Sequence, residues 1–342
     1  MFYNKEMVDK YLIALEHEIN SKYKGNELDT IYIGGGTPSS LSIEQLERLF
    51  KITDKLNKSK KIEFTIESNI SQITEEKLIL YKKHGVNRIS IGIESIDKKN
   101  LKILERTNDK IDIKEKIKLI RSKGINNINV DLIYALPNET LEVLKEDLFF
   151  ILSLDIEHIS TYSLIIEKNT KLYINNVRNI SEDIDYEMYR MIVNILKENK
   201  YNHYEISNFS KEGYESKHNK CYWLNNEYYG FGLGASSYIN KKRTTNTRSI
   251  SKYLENKYEN YIEELNNEDI EEYEIILGLR LIKGINLTKY REKYNKELID
   301  NYNYKSLIED GLLKENNNYL YIPEDKLYVS NEIIVRFLQK KI

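Results

Sequence analysis

Polar residues follow or interrupt several short apolar runs of the sequence, and these are the positions where chemistry can be expected. In a sheet of parallel strands, the ligand site lies at the carboxyl ends of the strands. Acidic side chains at neighbouring strand ends form an electronegative pocket that suits a cationic ligand or a metal ion. The candidates at these strand ends are Gly35, Gly36, Thr37, Glu67, Glu94 and Asp131.

The glycine run Gly34–Gly36 lets backbone groups approach a ligand closely, because glycine has no side chain. It lacks the spacing of a Rossmann or P-loop phosphate cradle, since neither GxGxxG nor Gly-Lys-Ser/Thr follows it. A tight strand-to-helix turn is the alternative, but three consecutive glycines exceed what a turn requires. For Asp131, the alternative is a carboxylate buried against a structural arginine such as Arg88 or Arg106. Taken together, the strand ends favour a binding site.

A second cluster combines a histidine with aromatic residues and glycines. His218, Asn219, Tyr222 and Trp223 are followed by the aromatic and glycine-rich stretch 228–234. A histidine beside flat aromatic rings suits a planar macrocycle, with the imidazole as axial ligand of its iron. An aromatic hairpin with a hydrogen-bonded histidine is the alternative interpretation of the same pattern.

The composition excludes several classes of protein. Lys and Arg number 52 against 54 Asp and Glu, and the net charge of −2 argues against a nucleic-acid binder. The single cysteine, Cys221, permits no internal disulfide, no multi-cysteine zinc site and no iron–sulfur cluster held by this sequence's own thiolates. No run of about 18 apolar residues exists, and the charges within residues 1–10 argue against a signal peptide. The expected location is the cytoplasm.

The elements that must position these residues alternate between strands and helices. After an amphipathic helix over Glu6–Ser21, five apolar runs are each followed by a helical pattern, which predicts a parallel sheet with helices outside it. The predicted strands are Thr30–Ile33, Ile62–Glu67, Arg88–Ile93, Ile128–Tyr134 and Ile159–Ile166. Beyond about residue 170 the alternation stops, and three helices, a hairpin over Leu312–Ile322 and a last helix are predicted near the C-terminus. The predicted domains are 1–170, 171–265 and 266–342.

Four motifs, taken in order, resemble the oxygen-independent coproporphyrinogen oxidase-like proteins of the radical S-adenosylmethionine (SAM) superfamily. These motifs are Gly34–Pro38, Gly85–Gly92, Asn129–Pro137 and Tyr204–Phe209. The segment His218-Asn219-x-x-Tyr222-Trp223 is similar to the heme-associated signature of the HemW-type heme chaperones, which separates them from the coproporphyrinogen III dehydrogenases. The resemblance runs from the first helix to Ser330-Asn331-Glu332.

The resemblance implies an α/β fold, a partial (β/α)6 TIM-like barrel of the radical SAM type, followed by a small, mainly helical, winged-helix-like domain. It implies SAM contacts at the strand ends, where acidic groups suit the sulfonium and ammonium of SAM. Glu94 stands where the family has Gln, so it keeps an acceptor and loses an amide donor. The implied SAM contacts are Gly35, Gly36, Thr37, Glu67, Glu94, Arg106 and Asp131, and the implied heme contacts are His218, Asn219, Tyr222 and Trp223.

Members of this family begin with a strand that ends in Cys-x3-Cys-x2-Cys, whose thiolates hold a [4Fe–4S] cluster. The present sequence enters at the first helix, so we expect the first barrel strand and the cluster ligands to be missing from it. Such a chain is expected not to cleave SAM, because the cluster supplies the electron, and no catalytic residue is assigned.

The resemblance implies a heme chaperone that binds heme and delivers it to acceptor proteins, such as those of the respiratory chain. Any membrane association would be peripheral, through these partners. Two alternatives stay open. One is an oxygen-independent coproporphyrinogen III dehydrogenase of porphyrin biosynthesis, and the other is a cluster-free, non-catalytic remnant that binds neither heme nor SAM and acts by protein interaction.

Overall fold

The computed structural model describes residues 4–168, 171–174 and 177–341. Its first element is helix α1 (Lys5–Lys22), which Asn4 caps by accepting a hydrogen bond from the Met7 amide. The apolar stripe of this helix is buried at Leu12, Leu15 and Ile19. The predicted first helix is therefore confirmed. The predicted domain boundary at residue 170 lies outside the described residues.

Within the described residues, one sheet contains seven strands in the order β1-β2-β3-β4-β5-β7-β6. The strands are β1 (Leu28–Ile33), β2 (Lys58–Asn69), β3 (Arg88–Glu94), β4 (Asn127–Tyr134), β5 (His158–Ser163), β6 (Asn202–Glu205) and β7 (Asn208–Ser210). Strands β1 and β2 are parallel, as are β3, β4 and β5. Strand β7 is antiparallel to both β5 and β6. All five predicted strands are present, whereas the antiparallel pair β6–β7 was not predicted.

The helices that follow these strands begin and end where the sequence provides caps. Ser42 and Gln45 form a capping box at the start of α2, and Thr74 caps α3. Gly85 ends α3 at a φ of 86°, the left-handed conformation that glycine adopts without strain. The helices are α2 (Ile43–Thr53), α3 (Glu75–Lys83), α4 (Lys98–Ile103), α5 (Lys110–Ser122), α6 (Leu141–Leu152), α7 (Lys171–Ile174) and α8 (Glu182–Glu198).

The side chains of β3 and β4 alternate between an apolar face and a polar face. The apolar positions are completely buried and belong to the hydrophobic core; they are Ile89, Ile91, Ile93, Ile128, Val130 and Leu132. The intervening positions include Arg88, Ser90, Asn129 and Asp131. A parallel sheet that is packed on both faces usually shows a continuous apolar run. The polar side chains of β3 and β4 therefore lie together on one face, where they can form hydrogen bonds.

The segment 216–264 forms two helices and a three-stranded antiparallel sheet. These elements are α9 (Lys217–Trp223), β8 (Ser236–Ile239), β9 (Lys242–Asn246), α10 (Ile250–Leu254) and β10 (Glu259–Glu264). The alternative for the His218 cluster, an aromatic hairpin with a hydrogen-bonded histidine, is wrong in the secondary structure of residues 217–223, which form helix α9, whereas the histidine is hydrogen-bonded. The Ser216 side chain caps this helix by accepting a hydrogen bond from the Asn219 amide.

The C-terminal part is mainly helical, with a small sheet, as predicted. Its elements are α11 (Asn267–Gly278), β11 (Ile285–Asn286), α12 (Leu287–Tyr294), α13 (Leu298–Asn301), α14 (Lys305–Glu309), β12 (Lys314–Asn316), β13 (Tyr319–Tyr321) and α15 (Ser330–Leu338). The predicted hairpin over Leu312–Ile322 is confirmed as β12 and β13. Helix α11 begins next to Asn266, whose side chain accepts hydrogen bonds from the Glu268 and Asp269 amides.

The chain divides into two compact units. The first comprises Met1–Glu67, Thr74–Asn87 and Ser216–Leu277, and the second comprises Ser68–Ile73, Arg88–Glu215 and Gly278–Ile342. The division into domains 1–170, 171–265 and 266–342 stays a prediction. No helix in the described part of the chain combines the length and the apolar character needed to cross a membrane.

Candidate functional site

The glycine-rich loop after β1 is held by a carboxylate from the end of β2, in the first unit. Glu67 accepts a hydrogen bond from the Tyr32 hydroxyl at 2.8 Å and another from the Gly35 amide at 3.2 Å. A Cβ atom at Gly34 would lie 2.5 Å from Glu67 Oε1, so a larger residue at this position would displace the carboxylate. The loop and the carboxylate are thus brought together, as the strand-end prediction requires.

The next two glycines of the loop are open instead of crowded. A Cβ atom at Gly35 or Gly36 would meet nothing within 4 Å, and both residues are exposed. Gly35 has a φ of 80°, which L side chains rarely adopt, so glycine is required there for conformational reasons. The backbone of the loop is therefore accessible to a ligand at Gly35 and Gly36.

Glu94 and Arg106 form a two-point ion pair in the second unit. Arg106 donates from Nε to Glu94 Oε2 at 2.6 Å and from Nη2 to Glu94 Oε1 at 2.7 Å. This pairing raises the pKa of Arg106, chiefly through the hydrogen bonds to Glu94. Glu94 has a φ of 65° at an irregularity in β3, a backbone conformation that is uncommon for residues other than glycine. The two predicted SAM contacts therefore hold each other at the end of β3.

Asp131 lies on the polar face of β4, where its carboxylate is hydrogen-bonded by two neighbours. Asn129 Nδ2 donates to Asp131 Oδ1 at 2.9 Å, and the Ser90 hydroxyl donates to Oδ2 at 3.3 Å. Burial raises the pKa of Asp131, while the hydrogen bonds and the positive charge of Arg88 oppose that rise. Of the two arginines considered for it, Arg88 is the one that acts on Asp131, since Arg106 pairs with Glu94.

His158 extends this polar face and was missed by the sequence analysis. Its Nδ1 shares a hydrogen bond of 2.5 Å with Asn129 Oδ1, and its Nε2 shares one of 2.7 Å with the Tyr204 hydroxyl. Burial, together with Arg88, lowers the pKa of His158 well below its ordinary value, so this imidazole is neutral. One signal could have revealed it. His158 and Ser160 alternate along β5, so they share the polar face on which Asn129 of β4 lies.

His218 is fixed by contacts on every side, all within the first unit. Its Nδ1 shares a hydrogen bond of 2.9 Å with Thr30 Oγ1, and its Nε2 shares one of 2.8 Å with the Tyr222 hydroxyl. The ring stacks on Tyr32, with 4.9 Å between centroids. The Lys217 and His218 amides both donate to Glu63 at 3.0 Å. Both ring nitrogens of His218 are therefore engaged.

The other members of the His218 cluster have different roles. Tyr222 packs edge-on against Tyr228, with 4.6 Å between ring centroids. The Asn219 amide donates to Ser216 as part of the helix cap, and the Trp223 side chain is half-buried. Burial raises the pKa of the half-buried Cys221 thiol, so it stays protonated and is a poor metal ligand as it stands.

A cleft of about 1270 Å³ opens in the second unit beside the loops that follow β3 and β4. Buried Glu139 lies on its wall and accepts hydrogen bonds from Asn100 Nδ2 and the Leu136 amide, each at 3.0 Å. Burial raises the pKa of Glu139 to about 7. Nearby, Asp147 accepts from the Ser95 hydroxyl at 2.6 Å, and burial raises its pKa to about 6. Neither carboxylate was predicted from the sequence, because each lies in or next to an ordinary amphipathic helix.

The donor set of the described residues does not fit an iron–sulfur cluster. Cys221 is the one thiol in the sequence, whereas a [4Fe–4S] cluster is typically held by cysteine thiolates in groups of three or four. Among the described residues, no group of three His, Cys, Asp or Glu side chains is arranged to hold a metal ion. We therefore assign no cluster ligand to them.

Parallel strands with a glycine loop and acidic groups at their carboxyl ends are typical of the radical SAM class of protein. Residues 11–151 match the Radical SAM superfamily, and residues 265–325 match the HemN C-terminal domain. The solved structure of coproporphyrinogen III oxidase (HemN) from Escherichia coli superposes with a TM-score of 0.86, at 19% identity, over 98% of this chain and 84% of that one. This likeness confirms the predicted fold class, a partial α/β barrel with a helical C-terminal domain.

The closer family is given by sequence similarity over nearly the whole chain. The heme chaperone HemW of Lactococcus lactis is 37% identical over 341 residues, which are 97% of this chain and 90% of the relative. The heme chaperone HemW of Bacillus subtilis is 36% identical, over 98% of this chain and 93% of the relative. The chain belongs to the HemW family. The predicted resemblance is thereby confirmed.

Proposed function

We propose that this chain binds heme and delivers it to acceptor proteins. The observation that carries the proposal is its similarity to HemW heme chaperones over nearly the whole chain, together with the His218-Asn219-x-x-Tyr222-Trp223 sequence on helix α9. Helix α9 offers an imidazole and two large aromatic side chains within two turns, a set that suits an iron porphyrin. His218, Asn219, Tyr222 and Trp223 are the proposed heme contacts.

A SAM site is proposed at the strand ends. In the first unit, the open loop of Gly35, Gly36 and Thr37 with Glu67 behind it fits a small polar ligand, because the backbone is accessible and the carboxylate is fixed. When bound, SAM supplies a sulfonium and an ammonium group, which an acidic surrounding stabilises. In the second unit, Glu94, Arg106 and Asp131 are proposed as further SAM contacts. Arg106 would have to share its guanidinium with Glu94.

The acceptors, such as respiratory-chain proteins, and the cytoplasmic location are also proposals. They are supported by the similarity to heme-chaperone relatives. Membrane association would take place through these acceptors. Because the described residues do not fit a [4Fe–4S] cluster, no reaction step is assigned to one.

The experiment that tests heme binding is a hemin titration followed in the Soret band. The wild-type chain is compared with His218→Ala and with His17→Ala, a control that removes an exposed histidine. We expect His218→Ala to weaken binding at least about tenfold, which corresponds to about 1.4 kcal/mol, while His17→Ala binds as the wild type does. Equal affinities for wild type and His218→Ala would remove His218 as a heme contact.

Transfer is tested with the heme-loaded chain and a heme-free b-type cytochrome. We expect the acceptor spectrum to develop faster with the loaded chain than with the same concentration of free hemin. If the wild-type chain binds neither hemin nor SAM, the chaperone proposal fails and the non-catalytic remnant takes its place.

A further inference from the structure

Tyr222 and His218 lie one helical turn apart on α9, and their side chains meet. The Tyr222 hydroxyl and His218 Nε2 are 2.8 Å apart, in hydrogen-bond contact. On its other side, the imidazole reaches Thr30 Oγ1 through Nδ1 at 2.9 Å. Among the described residues, the Tyr222 hydroxyl makes one hydrogen bond, to His218 Nε2. The nitrogen that points away from β1 is thus covered by a neighbour on its own helix.

The direction of these hydrogen bonds depends on which nitrogen of the His218 imidazole carries the proton. Burial raises the pKa of Tyr222 to about 12, so its hydroxyl keeps its proton and can donate to Nε2. In the Nδ1-protonated tautomer, Nδ1 donates to Thr30 Oγ1 and Nε2 accepts from the Tyr222 hydroxyl, and this is the tautomer whose Nε2 can bind iron. This tautomer carries its lone pair on Nε2, and donation from Nδ1 makes Nε2 a stronger ligand.

We propose that Tyr222 is a gate on His218, whose hydroxyl must leave Nε2 before heme iron can bind there. The proposal rests on the proposed function, because it takes heme as the ligand and His218 as its contact. The one lone pair of Nε2 cannot accept a hydrogen bond from Tyr222 and bind iron at the same time. On heme binding the O–H···Nε2 hydrogen bond breaks and an Nε2–Fe bond forms. Tyr222 keeps its proton, and no electron is transferred.

The surroundings indicate that the hydroxyl can be removed without disturbing the imidazole. His218 is also held by Thr30, by the stack on Tyr32 and by the bond from its amide to Glu63. The Tyr222 ring is held independently by its edge-on contact with Tyr228. A phenylalanine at position 222 keeps this ring contact and exposes the Nε2 lone pair. The Tyr222 hydroxyl therefore covers Nε2 of His218, whereas the other contacts set the position of the imidazole.

The test is a hemin titration of four chains: wild type, Tyr222→Phe, His218→Ala and the double variant. We expect Tyr222→Phe to tighten binding by about threefold to tenfold, the equilibrium equivalent of one neutral hydrogen bond. His218→Ala and the double variant should bind equally weakly, because the gate acts through His218 alone. Tyr229→Phe is the matched control, since it removes a hydroxyl from the same segment that bonds to Asn26 and not to His218.

A second measurement follows the rate of hemin binding by stopped flow. We expect Tyr222→Phe to bind hemin faster than the wild type by a factor similar to the gain in affinity, because in the wild type the hydroxyl covers Nε2 for most of the time. Circular dichroism confirms that each variant is folded.

Three outcomes overturn the gate. If Tyr222→Phe binds hemin as tightly as the wild type, or more weakly, the hydroxyl does not compete with iron. Tighter binding that persists without His218 shows that Tyr222 acts elsewhere. Full binding by His218→Ala moves the heme away from α9, in which case the heme-binding proposal survives and the gate does not.

Discussion

At the scale of single residues, Tyr32 connects the two candidate sites of the first unit. Its ring stacks on His218, and its hydroxyl donates to Glu67, which in turn accepts from the Gly35 amide. Tyr32 is therefore the side chain through which a movement of the imidazole would reach the glycine loop. Heme binding at His218 and ligand binding at the loop would be linked through Tyr32.

Tyr32→Phe tests this connection, because it keeps the stack and removes the hydrogen bond to Glu67. We expect faster hydrogen exchange at the Gly35 amide and a loss of about 1 kcal/mol in the free energy of unfolding. Amide exchange by mass spectrometry and urea unfolding measure the two effects. Tyr23→Phe, which removes a hydroxyl from an exposed contact with Asn26, should leave Gly35 unchanged. Unchanged exchange in Tyr32→Phe would show that Glu67 is held without this hydroxyl.

Some of these residue-scale contacts could be predicted from the sequence, and others could not. The glycine loop and the acidic strand ends follow from the alternation of strands and helices. The pairing of Arg106 with Glu94 could not be foreseen, because it depends on a left-handed backbone conformation at a residue other than glycine. The occupation of both His218 nitrogens also lay beyond prediction, since Thr30 is distant in the sequence.

At the scale of elements, helix α9 depends on a carboxylate from another element. Glu63 of β2 accepts hydrogen bonds from the Ser216 hydroxyl at 3.3 Å and from the Lys217 and His218 amides at 3.0 Å. A helix of this length has little stability of its own. Glu63 of β2 therefore fixes the start of α9, while Thr30 and Tyr32 of β1 hold the His218 side chain.

Replacing Glu63 by alanine should release the start of α9. We expect a loss of about 1–3 kcal/mol in the free energy of unfolding, because buried donors lose their acceptor, together with weaker hemin binding. Urea unfolding and a hemin titration measure these effects, and Glu212→Ala, at an exposed position, is the control. A stable variant with full hemin affinity would mean that Ser216 alone fixes the helix.

Elements with caps were predictable, and elements fixed by distant contacts were not. Ser42 with Gln45, and Thr74 with Gly85, are local signals that give the bounds of α2 and α3 from the sequence. Strand β6 consists of Asn202–Glu205, four residues with three strongly polar members, and has no apolar run to reveal it. Helix α9 likewise lacks a helical apolar pattern. Hydrogen bonds to Glu63, which is distant in the sequence, hold its start.

At the scale of the whole molecule, buried acids make stability depend on pH. The pKa values of Glu139 and Asp147 are raised by burial to about 7 and about 6, above their ordinary values in an unfolded chain. Between pH 4.5 and 7 the folded state therefore holds protons that the unfolded state has released. These two groups stabilise the fold at low pH, and this contribution is lost as the pH rises through their folded-state values.

Glu139→Gln should flatten this dependence, because an amide does not titrate. Relative to wild type, we expect the variant to be less stable at pH 5, where it loses an acceptor for Asn100 or Leu136, and to lose less further stability by pH 7.5. Urea unfolding at both pH values gives the difference. Glu142→Gln, at an exposed position on α6, should follow the wild-type profile. A variant profile parallel to the wild type would show that Glu139 does not hold a proton in this range.

The fold at this scale was largely predictable, since five β–α cycles admit few arrangements of a parallel sheet. The polar face of the sheet was less so. Its hydrogen bonds among Asn129, Asp131 and His158 bring together three separate positions on two strands, and each looks like an isolated exception in the sequence.

The single thiol of the sequence lies on α9, half-buried and three residues beyond His218. Because burial raises the pKa of this thiol, we expect it to react slowly with a maleimide or a thiol-reactive nitroxide reagent while α9 keeps its contacts. Any event that loosens α9 should speed that reaction. Because the sequence has no other cysteine, a label would attach at this one position without any substitution. The label would lie about one helical turn from His218 and would report movement of its imidazole.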